Sequence, residues 1–408
     1  MSDGLFSTAT TRRRAGALLA RAREGASDYF SVDDSALPST AALVAKVTRE
    51  RYPDLAIPYH SRWRHFEAGG VDRRAWLGAM ANDPVALIDL VVVSVLLDAG
   101  AGADWHFKES RTGQVLTRSE GLGVASFHAF TSGLFSSDPL QPLRCDAVGL
   151  QRVSSTQLGA AFQVSDSNPL VGLEGRAHLL RRLGKALAEQ PAVFGTPSRV
   201  GNMHIHLMEY AQAAIKNRAD FAIPAHAILS LLLTTLSRIW PSGSVFTDAS
   251  GEHTAIGDCW PHNALGPRDA AAGWIPFHKL SQWLTYSLLE PLEWAGMHVT
   301  GLDQLTGLPE YRNGGLLIDA GVLRFKNPQL AAQRYKASDE LIVEWRALTV
   351  ALLDEIAPLV RNQLGKSEQD MPLACVLEGG TWAAGRVLAQ QLRNGKPPLH
   401  IESDGTIF

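Results

Sequence analysis

The sequence predicts a mostly α-helical, multi-helical protein with a few short β-strands, and three observations carry that prediction. Long stretches repeat apolar residues at i, i+3 or i+4 and i+7, the spacing of one helix face. Alternating, strand-like stretches are short and few. Apolar residues make up 46% of the chain and charged residues 19%, the balance of an ordinary globular protein.

In chain order, the helical pattern runs over Ala15 to Glu24, Ala41 to Arg51, Pro84 to Ala99 and Glu174 to Glu189. It continues over Ala225 to Ile239, Phe277 to Ala295, Asp339 to Arg361 and Met371 to Arg393. Ser39 or Thr40 is placed to cap the second helix, Asn82-Asp83-Pro84 starts the third and Gly100 stops it. Arg12 to Arg14 lead into the first helix, which Arg21, Arg23 and Glu24 continue, so this segment reads as structure rather than as a targeting peptide. A hairpin is expected at Trp105 to Leu116, turning at Thr112-Gly113. A second is expected in the tail Leu399 to Phe408, turning at Asp404-Gly405.

The length of 408 residues allows two lobes. Pro, Gly and Ser between Pro191 and Arg199 set the expected boundary: an N-terminal helical lobe over 1–195 with the hairpin, and a C-terminal helical lobe over 196–408. The longest apolar run, Val85 to Leu97, falls short of the ~20 residues a bilayer needs and contains Asp89, so it reads as a buried helix. A net charge of -3 gives no reason to expect nucleic-acid binding. Cys145, Cys259 and Cys375 are far apart and form no CxxC, which suits a reducing, cytoplasmic setting. A small-molecule partner, with no nucleic acid and no membrane, is the expectation, in a monomer or homodimer.

Candidate chemistry concentrates between Gly257 and Leu323. Gly257-Asp258-Cys259-Trp260-Pro261-His262 puts a carboxylate, an indole and an imidazole on non-helical chain, inside an unusually long loop from Pro241 to Gly273. Pro276-Phe277-His278-Lys279-Leu280-Ser281-Gln282-Trp283 opens a helix on which Lys279, Trp283, Tyr286 and Glu290 share one face, with His278 and Gln282 beside it. That face suits a pocket wall or an internal Lys279–Glu290 network. Pro309-Glu310-Tyr311-Arg312-Asn313-Gly314-Gly315 reads as a positioned helix start. There Glu310 is a candidate base, nucleophile or cation stabiliser, and Arg312 a candidate anion or carboxylate partner. Weaker signals are the HxH at His204 and His206, the run Arg62, Arg64, His65 and Glu67 as a phosphate site, and the glycine pair in Glu378-Gly379-Gly380-Thr381-Trp382 as an anion site.

These motifs, with Glu174-Gly175-Arg176-Ala177, Leu183-Gly184 and the Ser403-Asp404-Gly405-Thr406 tail, resemble the uracil-catabolism protein 4 family, from about Asp89 to the terminus. That resemblance implies a non-reductive route that breaks uracil down to urea and a three-carbon acid. A fainter likeness is to the queuosine-monophosphate salvage glycosylases, whose order of motifs is kept by Ile275-Pro276-Phe277-His278-Lys279-Leu280-Ser281-Gln282, Leu305-Thr306, Glu310-Tyr311-Arg312 and Gly321-Val322-Leu323. It implies an all-helical fold akin to helix-hairpin-helix DNA glycosylases and N-glycosidic hydrolysis by a carboxylate. Three departures bear on base recognition: Glu310 stands for Asp, Leu280 for Arg, and Asn313-Gly314 for Pro-Gln.

Joined, the two likenesses imply an N-ribosyl hydrolase that cleaves ribosylurea, or its 5-phosphate, to urea and ribose. Glu310, Asp258 and Lys279 would be catalytic. Trp260, His262, His278, Gln282, Trp283, Tyr311, Arg312 and Asn313 would bind substrate, with Lys279, His262 or His278 assisting the departing urea. The scheme requires no metal or organic cofactor. The alternatives are a metal-dependent ureido- or amidohydrolase using His204, His206 and Asp258, and a non-catalytic binding subunit.

Overall fold

The computed structural model describes residues 3–214, 222–240, 244–248 and 251–402. It is mostly helical, with short paired strands between the helices. The expected helices are present with shifted ends. The first runs Thr8–Arg23 and the second Leu37–Arg51. The second starts before the expected caps because Pro38 presets the first turn, and the hydroxyls of Ser39 and Thr40 instead donate back to the carbonyl of Ala36. Pro84–Leu96 begins as expected, with the Asp83 carboxylate accepting from the Val85 amide. Further on lie Leu173–Ala188, Ala225–Leu236, Lys279–Trp294 and Glu340–Leu364.

The segment expected as one helix, Met371 to Arg393, is instead a short turn Leu373–Val376, a π-turn Leu377–Thr381 and a helix Trp382–Arg393. The glycine pair therefore lies inside a helical run and offers no open N-terminus to an anion. Gly380 is needed for close approach, since a Cβ there would sit 2.6 Å from the Val44 carbonyl oxygen.

The hairpin is present as His106–Lys108 against Val115–Thr117. The long loop contains strands that the sequence did not announce: Ser244–Thr247 pairs with His253–Gly257, and Cys259–Pro261 with Trp274–Pro276. In the tail, His400–Ile401 pairs parallel with Arg334–Tyr335; the turn expected at Asp404-Gly405 lies outside the described residues.

The chain divides into two compact units, each built from separated segments. The first comprises Met1–His60, Ser244–Gln282 and Gly301–Glu402; the second comprises Ser61–Gly243 and Trp283–Thr300. The boundary expected near residue 195 falls inside the second.

The first unit is organised around Glu340–Leu364, against which Thr8–Arg23 and Leu37–Arg51 pack. The helix Tyr311–Asp319 lies on Trp382–Arg393. That contact is backbone-close, because a Cβ at Gly385 would meet the Arg312 carbonyl oxygen at 2.2 Å.

In the second unit, Pro84–Leu96 is buried on every side beyond its first turn. Asp89 on that helix accepts from the amides of Cys145 (2.9 Å) and Gly201 (2.7 Å) and pairs with Arg199 at 2.7 Å. Burial outweighs those partners and pushes its pKa up to about 6. Arg176 donates to the carbonyls of Leu97, Ala99 and Gly100, closing the C-terminal end of the same helix. The Glu-Gly-Arg motif thus supplies a structural cation.

Candidate functional site

The site residues of the first unit are set by one turn. Pro309 sits in a tight turn in which the Glu310 amide donates to the Leu308 carbonyl at 2.9 Å, and Glu310, itself extended, occupies the N-cap of the helix Tyr311–Asp319. One carboxylate oxygen accepts from the Arg312 amide at 2.7 Å, and the other from the Asn313 amide at 2.5 Å. Pro309 cannot donate, and Gly314 admits the Trp345 indole to its backbone, where Nε1 donates to the Gly314 carbonyl at 3.2 Å. The helix start is thereby fixed from both sides.

Glu310 keeps part of its surface open to solvent while its carboxylate is enclosed by protein. Burial pushes its pKa up. The two amides oppose that shift, and so do the positive charges of Lys279 and His60. Each carboxylate oxygen accepts one backbone N–H and retains a second lone-pair direction. The group is an acceptor held in place, with its proton affinity raised by burial.

Lys279 is placed by Asp258. The Lys279 amide donates to Asp258 Oδ2 at 2.9 Å, and His278 just before it has a positive φ of 48°. The other Asp258 partners are Arg346, which donates to both oxygens at 2.8 and 2.7 Å, and the Trp260 indole at 2.7 Å. Burial raises the pKa of Asp258, but Arg346 outweighs it and holds the carboxyl below its ordinary value. With four donors on two oxygens, its acceptor capacity is filled. Asp258 and Trp260 form a bracket around the start of the Lys279–Trp294 helix.

The remaining sequence candidates fall into place around this bracket. His278 directs Nε2 to the Leu5 carbonyl at 2.7 Å and stacks on Phe6. His262 accepts from the Ala264 amide on Nδ1, which leaves Nε2–H to face Glu344 at 3.2 Å. Gln282 Oε1 accepts from the Thr306 amide at 3.4 Å, tying the helix to the loop before Glu310. Tyr311 is 37% exposed, and the Arg312 guanidinium lies over its ring while donating to the Gly395 carbonyl. Arg312 thus orients Glu310 through its amide, not its side chain. Asn313 is fully buried; its Nδ2 donates to the Leu308 carbonyl, and its Oδ1 has no partner among the described residues.

Trp283 follows Gln282 on the helix Lys279–Trp294. It belongs to the second unit, where its ring lies edge-on to His65 and beneath the Arg62 guanidinium. In that unit Glu290 accepts from Ser61 at 2.5 Å and from Arg64 at 2.6 Å. Arg62, offered by the sequence as part of a phosphate site, is completely buried and pairs with Asp98 at 2.7 Å. His204 and His206 also belong to the second unit. Among the described residues no group of three or more His, Cys, Asp or Glu side chains is arranged to hold a metal ion.

His60 was not singled out by the sequence, and Glu378 was named there only within the glycine-pair motif Glu378-Gly379-Gly380-Thr381-Trp382. His60 Nδ1 lies 2.8 Å from a Glu378 oxygen, and the carboxylate also accepts from Arg51 at 2.8 Å and Tyr52 at 3.0 Å. Burial raises the pKa of Glu378, but His60 and Arg51 prevail and keep it below its ordinary value. Glu378 lies in the π-turn, and such turns recur at functional sites because they displace a side chain from helical register. A run of Glu, Gly, Gly and Thr was the available signal.

Residues 4–408 match the family described as protein of unknown function, DUF1688. The chain is similar to Protein urg3 of Schizosaccharomyces pombe, with 40% identity over 99% of this chain and 98% of that protein. It is also similar to Uracil catabolism protein 4 of Lachancea kluyveri, with 35% identity over 94% of this chain and 93% of that protein.

Proposed function

This chain belongs to the DUF1688 family, and from that premise we propose that it acts in uracil catabolism as an N-ribosyl hydrolase, releasing urea from ribosylurea or its 5-phosphate. The pathway comes from the name of the Lachancea relative. The reaction rests on one observation, a raised-pKa carboxylate at position 310, fixed by two amides and set in the field of two cations.

Cleavage of an N-ribosyl bond builds positive charge at the anomeric carbon. Glu310 offsets that charge and takes the proton of the attacking water through the lone pairs its amides leave open. A carboxylate with a raised pKa is a stronger base than an ordinary one, and burial supplies that strength. Lys279, fixed through its amide by Asp258, keeps enough Glu310 ionised to act and supplies a donor for ribose hydroxyls. Asp258 acts through Lys279 rather than on the sugar.

The test offers purified protein ribosylurea, ribosylurea 5-phosphate, uridine and uridine monophosphate, and measures free urea and reducing sugar. Equimolar release of both from a ribosylurea supports the reading. Urea consumption, or tight binding without turnover, would point instead to a ureido-hydrolase or a carrier subunit.

A further inference from the structure

We propose that a hollow at the C-terminal end of the helix Arg118–Thr131, in the second unit, binds a small aliphatic amine in its ammonium form. The hollow measures about 400 Å³ and is lined by His128, Ala129, Thr131, Ser132 and Ala161. That volume is in the range of small-ligand pockets. His128, Thr131 and Ser132 stand at i, i+3 and i+4, so one face of the last helical turn supplies all three polar side chains.

Each of the three offers an acceptor. The Thr131 hydroxyl donates to the His128 carbonyl at 3.2 Å, and the Ser132 hydroxyl to the Ala129 carbonyl at 2.8 Å. Their protons are spent on the helix and their lone pairs remain. His128 Nε2 lies 2.7 Å from Glu109, a carboxylate without exposed surface. Glu109 also accepts from Arg73, at 2.7 and 2.6 Å, and from Thr112 at 2.6 Å. Burial raises the pKa of Glu109, but Arg73, Thr112 and His128 outweigh it and hold the carboxyl down at about 2. An ionised carboxylate only accepts, so Nε2 carries a proton and Nδ1 of the neutral ring is an acceptor. Nδ1 has no hydrogen-bond partner among the described residues, and it is not one of the unpartnered atoms sealed inside the protein. Phe107 stacks on the ring with centroids 5.7 Å apart and Trp76 borders it at 6.2 Å, which fixes its direction.

The lining thus carries three acceptors and neither lysine nor arginine. Arg73 is fully buried and its charge is matched by Glu109, while Arg111 lies over the Trp76 ring, outside the lining. The C-terminal end of a helix adds partial negative charge. An anion would meet lone pairs and an opposing dipole. A primary ammonium brings three N–H donors to three acceptors, and its carbon chain lies along Ala129 and Ala161. The reaction assigned to Glu310 uses none of these residues, so the amine site is an additional property of the second unit.

The experiment titrates the full chain with n-butylammonium chloride at about pH 8, where an ordinary imidazole is neutral, and follows both heat and the nitrogen resonances of the His128 ring. n-Butanol, butyrate, inorganic phosphate and tetramethylammonium are the comparison probes. The first keeps the chain without the charge, the next two are anions, and the last keeps the charge without N–H donors. Saturable n-butylammonium binding that shifts the His128 resonances is expected, with each comparison probe weaker by at least about tenfold. His128→Phe keeps the packing on Phe107 and removes the acceptor, and should weaken n-butylammonium by about 10–100-fold. Ala161→Leu fills the hollow without touching a hydrogen bond, should act in the same direction, and serves should the first variant unfold on thermal analysis. Absence of saturable binding, unchanged affinity in either folded variant, or tighter binding of butyrate or phosphate at His128 would each overturn the assignment. Whether the protein cleaves ribosylurea does not enter the outcome.

Discussion

Arg346 holds both oxygens of the Asp258 carboxylate, at 2.8 and 2.7 Å, from a helix 88 residues further along the chain. Both groups are buried, and removing one partner leaves the other charge without compensation. Asp258→Asn is expected to destabilise the protein by about 3–5 kcal/mol in chemical denaturation. Because the native carboxyl is held below its ordinary pKa, its contribution is complete above the unfolded value of about 3.9 and is lost as pH falls through the folded value. The wild-type advantage over Asp258→Asn should therefore shrink below about pH 4. An advantage that persists unchanged at pH 2 would show that the pairing is not its source.

Glu310 has the opposite sign. Its folded pKa lies above the unfolded value of about 4.3, so the folded state keeps a proton that the unfolded state has released. Stability is then lost as pH rises from the unfolded toward the folded value. Glu310→Gln removes that penalty and should be at least as stable as wild type at pH 7, while its turnover falls by about 10²–10⁴-fold. Thermal unfolding at pH 4 and pH 7, beside the ribosylurea assay, decides the matter. A variant that is both active and less stable would make Glu310 a helix cap and nothing more.

What the sequence revealed and concealed follows from range. Helices were legible because their apolar period and caps are local, as at Asp83-Pro84. The helix start at Glu310 was legible for the same reason, through Pro309 before it and Gly314-Gly315 after. The partner of Asp258 was not, since no local pattern ties it to Arg346. Nor was the His60–Glu378 contact, whose members are 318 residues apart. Short strands such as Cys259–Pro261 escaped because three residues are too few to show alternation. Met371 to Arg393 looked like one helix because the turn Leu373–Val376, the π-turn Leu377–Thr381 and the helix Trp382–Arg393 follow one another without a break.

Gly385 offers a mechanical test of the site. A methyl group there would lie 2.2 Å from the Arg312 carbonyl oxygen, which belongs to backbone and cannot swing aside. Gly385→Ala should cost about 1–3 kcal/mol by overpacking and shift the helix that Glu310 caps. Turnover per folded molecule should then fall although no polar group has changed. Undiminished turnover with reduced stability would mean that the cap tolerates displacement.

Lys279 and His60 are the two cations whose charges lower the pKa of Glu310 against the burial that raises it. If Glu310 acts as a base, kcat/KM on ribosylurea rises with pH as Glu310 loses its proton. Lys279→Met removes one of the opposing charges, so the proton is held more firmly and the rise should move to higher pH. Lys279→Arg keeps the charge and should leave the rise near its wild-type position, even if a longer side chain weakens binding. The pair separates charge from shape: a limb that moves in Met but not in Arg assigns the rise to Glu310 under the field of Lys279. A limb that stays fixed in both would assign it to another group and remove Glu310 as the titrating base.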